Sequence, residues 1–168
     1  MMRHRILYPW RLSEGEKQLL SALTGAALFG GMLTFVIVSQ MGSEKALVRH
    51  LSWADLWFVF AGALGAVGGI YLGRRWLGHP GLRGALLAVL GVPMVSFLCS
   101  VLGGTLALPF YGTMFGPMIF ALTLIGNPVL AVVWLTVLAA THFLMSGWRR
   151  ERESLFTPVP RTALRHAA

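Results

Sequence analysis

Three residues in the apolar part of this chain carry reactive groups: Asp55, Cys99 and His142. General acid–base catalysis, an activated nucleophile or a bound metal each needs at least two such groups brought together. Asp55 is the one carboxylate in any long apolar run, and an acid inside a membrane marks a coupling-ion or proton site by default. It also follows Ser52 by three residues, which is capping-box spacing, and an acid in a first turn suits the helix dipole. The spacing favours the cap. A single histidine within the runs cannot supply both axial ligands of a bis-histidine haem, so His142 is expected to turn its ring toward lipid headgroups. Cys99 is the sole cysteine, which excludes an intrachain disulfide and a multi-cysteine metal site and leaves it as a small buried residue. No serine stands in a G-x-S-x-G motif, and a P-loop, a dinucleotide fingerprint and a zincin helix are missing too. Neither an enzyme nor a resident cofactor or metal is expected.

The elements that hold these residues are read from composition. Of 168 residues 56% are hydrophobic and 12% charged, about half the charged share of a soluble domain. The expected fold is all-α: a polytopic membrane protein whose four helices form an antiparallel bundle with short loops. The spans fall at about 19–41, 53–72, 84–104 and 117–145, inside one membrane domain, 19–146. A flank, 1–18, precedes it, with Ser13 and Glu16 at capping-box spacing. A basic tail, 147–168, follows and is expected to be irregular beyond its first turns.

The net charge of +8 does not point to nucleic acid, because the basic residues flank apolar runs and make no basic face interleaved with aromatics. They point to orientation. Arg3, Arg5, Arg11 and Lys17 precede the first span; Arg74, Arg75 and Arg83 follow the second; Arg149, Arg150, Arg152, Arg161 and Arg165 follow the last. Against these twelve stand Lys45 and Arg49. The positive-inside rule therefore puts both termini in the cytoplasm, in a cell membrane of the bacterial inner-membrane kind. Arg74, Arg75 and Arg83 are candidates for contact with anionic lipid headgroups on that side, and equally serve as plain topology determinants.

Small residues carry the packing signal. Gly65, Gly69 and Gly73 recur every four residues, extended backward by Ala61, and form a flat strip where another backbone can approach. Ser96, Ser100 and Gly104 offer a complement at the same spacing, although a second subunit would serve as well. Gly62 lies off the strip and is expected to tolerate a larger side chain better than Gly69 does.

The last run poses a problem of length. Residues 105–145 include no Asp, Glu, Lys or Arg, and these 41 residues are too many for one span and too few for two. Two full spans would carry the arginine-rich tail to the wrong side. Pro93 marks a kink in the third span, and Gly126, Asn127 and Pro128 mark a kink or break in the fourth. In one solution a tilted helix from Pro117 is kinked at Pro128. In the other a helix starts at Asn127 as N-cap with Pro128 at its first position, and residues 105–126 form an outer or re-entrant segment.

In size and span count the chain resembles the small four-helix membrane subunit of tripartite substrate-uptake transporters. Packing motifs without reactive groups point to a non-catalytic accessory or assembly subunit of a larger membrane complex, such as a transporter, which would use the glycine strip and apolar faces to bind its partner. The alternative is a small oligomeric permease or channel-like protein passing a neutral or apolar solute beside the broken helix. Expected partners are membrane lipids and a membrane protein or a second copy of the chain, not nucleic acid.

Overall fold

The computed structural model describes residues 12–41 and 52–156. These form α1 (Glu14–Met41), α2 (Trp53–Leu72), α3 (Gly81–Ala107), α4 (Tyr111–Gly126) and α5 (Pro128–Phe156), with a 3-10 turn, Gly73–Arg75, after α2. Among the described residues there is no strand. α1, α2, α3 and α5 are long and apolar enough to cross a membrane, and the chain is an integral membrane protein. The charge count above rests partly on Arg3, Arg5, Arg11, Lys45, Arg49, Arg161 and Arg165, which lie outside the described residues.

Local chemistry sets the helix starts. Ser13 Oγ accepts from the Glu16 N–H at 3.2 Å while Glu16 accepts from the Ser13 N–H at 3.0 Å, so α1 begins five residues before its apolar run. The same reciprocal box opens α2: the Asp55 N–H donates to Ser52 Oγ at 3.2 Å and the Ser52 N–H to Asp55 at 2.9 Å. α3 extends past both expected ends and stays helical through Pro93, whose ring only removes a bond to the Val89 carbonyl. α5 likewise runs on through the charged start of the tail, where Arg149 and Glu153 stand one turn apart.

Neighbouring long helices run antiparallel. Gly62 meets Gly30 and Gly73 meets Val95, while Gln18 and Gly147 touch from α1 to α5. The core gathers Phe29, Ile70, Val95, Trp134, Leu138 and Met145, all nearly shielded from solvent. Trp134 is its centre: its ring stacks on Phe29 at 5.4 Å, meets Phe120 edge-on at 5.7 Å, and its Nε1 donates to Ser96 Oγ at 2.8 Å. Each such aromatic pair is worth about 0.5–1.5 kcal/mol beyond burial.

The fourth run is broken. A straight helix would separate residues 120 and 134 by about 21 Å, a gap two aromatic side chains cannot close to the observed 5.7 Å. α3 says the same, since Gly112 and Gly116 lie against Gly104 and Ser100 while Trp134 reaches Ser96. Those contacts lie within about 12 Å of rise on α3. The helix is interrupted at Asn127, which leaves the helical region at φ −135° and ψ 89°. Its carbonyl accepts from the Ala131 N–H at 3.2 Å and its side chain from the Leu130 N–H at 3.4 Å, capping α5 with Pro128 in the first position. The continuous helix from Pro117 is therefore excluded, and residues 111–126 are a separate helix of 16 residues.

Candidate functional site

Small residues build three seams around one cavity. Along the first, the α2 strip does face α3, but its counterparts are Val95, Cys99 and Gly103, not Ser96, Ser100 and Gly104. One residue along a helix turns the face by about 100°, and spacing alone does not distinguish the two sets. A Cβ at Gly69 would stand 2.5 Å from the Cys99 nitrogen and 2.6 Å from its Cα; one at Gly65 would strike Gly103. Ala61 is buried at the far end of the strip, and Gly73 abuts the Val95 side chain.

The second seam was not foreseen. A Cβ at Gly62 would stand 2.8 Å from the Gly30 carbonyl oxygen and press on Thr34, so Gly62 is as tightly held as Gly69 and its expected tolerance is overturned. The signal was present in α1, where Ala22, Ala26, Gly30 and Thr34 repeat every four residues. The third seam uses the remaining small residues of α3. Gly104 lies against Gly112, and a Cβ at Gly116 would stand 2.7 Å from the Ser100 carbonyl oxygen, while Thr105 and Thr113 share a hydrogen bond of 2.8 Å.

Between the seams lies a cavity of about 380 Å³, reached by α1, α2, α3, α4 and Trp134. Its polar groups are few and already engaged. Thr34 and Ser100 donate back to the Gly30 and Phe97 carbonyls, at 2.9 and 2.8 Å. Asp55 is 5% exposed and receives both the backbone N–H and the hydroxyl of Ser52. The chamber suits a neutral or apolar guest better than an ion. The turn that leads into α4 holds Phe110 at φ 67°, a left-handed conformation that an aromatic residue adopts at a cost.

At the other end of the bundle the 73–80 turn is pinned to α5. Gly78, at φ 79°, donates its N–H to His142 Nδ1 at 3.1 Å, so that nitrogen of His142 serves this loop. Arg149 reaches the Arg74 carbonyl oxygen and stands 3.4 Å from His79 Nε2. Burial first, then the Arg149 charge, hold His79 below the ordinary histidine value, with Glu153 opposing. Arg74 covers the Tyr71 ring at 4.4 Å, and Arg75 and Arg83 are exposed at the same end. Of the fold-breaking residues, Gly126 ends α4 in open space and Pro93 lies exposed on α3. No group of three His, Cys, Asp or Glu among the described residues is placed to hold a metal ion. Comparison with protein-family models, with curated proteins and with solved structures gives no match.

Proposed function

We propose that the chain is a non-catalytic accessory or assembly subunit of a larger membrane complex, a transporter being the best candidate, with both termini in the cytoplasm of a bacterial inner membrane. The glycine strip supports this less than its spacing suggested, because its faces are consumed within the chain. α4 supports it instead. This helix is too short to span, buries none of its residues, and shows Met114, Met118, Leu122 and Ile125 as one exposed stripe. Flexible methionines suit a surface that conforms to a partner helix. The reactive groups of the interior are locally engaged, Asp55 by Ser52 and His142 by Gly78. Purification from its native membrane in mild detergent should yield a complex with a larger membrane protein, lost when Met118 and Leu122 are replaced by tryptophan. A lone chain, with no partner by mass spectrometry, contradicts the proposal.

The cavity favours a second reading, a small permease for a neutral or apolar solute, with α4 as its lid. Flux through proteoliposomes holding this protein alone would decide for that reading. Absence of flux over a broad solute panel would leave the subunit reading in place.

A further inference from the structure

α3 and α5 converge where Trp134 meets Ser96 and otherwise barely touch, leaving a groove of about 350 Å³ that ends at the 77–81 turn. Ala88, Val92, Leu135 and Leu138 form its apolar walls, and His79, His142 and Arg150 stand at its end. Among the described residues no acidic one lines it. Hydrogen-bond partners fix both rings. A guanidinium only donates, so His79 Nε2 accepts from Arg149 and the ring proton sits on Nδ1, which is buried without a partner. His142 Nδ1 accepts from Gly78, so its proton sits on Nε2. The ring N–H of His142 and the guanidinium of Arg150 thus gather at one end of an apolar slot, at the level where the helices give way to a turn. Glu153 acts on His79 from nearby, but Arg149 and Arg150 outweigh it in charge.

We propose that this groove binds an anionic glycerophospholipid, with an acyl chain along the α3–α5 walls and a phosphate oxygen on His142 and Arg150. The Nε2–H of His142 gains an acceptor, and the charge of Arg150 meets a counter-charge. The exposed Arg74, Arg75 and Arg83 attract anionic surfaces in general, whereas the groove adds a place for one chain.

The test is thermal unfolding of the delipidated protein in neutral detergent, titrated with phosphatidylglycerol, phosphatidylcholine or inorganic phosphate. Phosphatidylglycerol should raise the midpoint, with phosphatidylcholine and phosphate doing little. Arg150→Gln should weaken the response about tenfold, the weight of one charge-assisted hydrogen bond. Ala88→Phe, which fills the slot, should abolish it, and Arg83→Gln, at the same end but off the groove, should leave it unchanged. Should Ala88→Phe fail to fold, the Arg150→Gln and Arg83→Gln pair carries the test alone. Equal stabilisation by phosphatidylcholine, equal stabilisation by phosphate, or equal losses in Arg83→Gln and Arg150→Gln would each overturn the proposal.

Discussion

Gly69 shows how little room the bundle leaves. In a membrane, lipid tails are as apolar as leucine, so helix association rests on close packing, and a glycine is where it is closest. Gly69→Leu would drive a branched side chain into the backbone at Cys99 and should cost about 1–3 kcal/mol, seen as a lower unfolding midpoint in detergent. Gly25 is the proper control, since a Cβ there meets nothing within 4 Å. If Gly25→Leu and Gly69→Leu lower the midpoint equally, the α2–α3 seam is misplaced. His79 offers a second test at this scale. Its value is lowered in the folded protein, so as pH falls below about 6.5 the unfolded chain takes up the proton first and stability drops. The midpoint should be lower at pH 5.5 than at pH 7.5, and His79→Gln should shrink that difference. An unchanged pH dependence in the variant would mean that His79 is not the group responsible.

Among the elements, α4 is the one whose attachment is most in need of proof. It is held to α3 by the Gly104–Gly112 and Ser100–Gly116 contacts and by the Thr105–Thr113 hydrogen bond. Gly116→Leu should therefore release α4, raising protease sensitivity between Leu108 and Asn127 while the α1–α2–α3 packing stays intact. Unchanged protection would show that the third seam does not hold the helix. The elements also mark where reading the sequence stops. Capping boxes at Ser13 and Ser52 and the first three long helices were legible, because their signals are local. The cap at Asn127 was one of two readings, and the fourth span, expected from Pro117, starts at Pro128. Which face of α3 meets which helix was not legible. Val95, Cys99 and Gly103 look less like a small-residue strip than Ser96, Ser100 and Gly104, yet they face α2, because α4 and Trp134 occupy the other side. The His142–Gly78 and Arg149–His79 links were hidden for the same reason: they join residues about 60 or 70 positions apart.

For the whole molecule, two independent claims are open to measurement. The bias of twelve basic residues against two predicts that a phosphatase reporter fused after Ala168 is inactive in a bacterial host and one inserted near Ser43 is active. The reverse pattern would turn the molecule over. Both sites lie outside the described residues, so this test bears on orientation alone. The fold itself depends on α4 turning back along α3 instead of extending α5. Met114 and Leu135 are both exposed and can carry spin labels in a Cys99→Ser background. Twenty-one residues of straight helix would hold them about 32 Å apart, whereas the shared contacts on α3 bring their backbones to within about 10 Å in depth. Double electron–electron resonance in lipid nanodiscs should give a mean distance of about 25 Å or less. A narrow distribution at about 32 Å or beyond would restore the continuous helix, and with it remove the separate α4 on which the subunit proposal stands.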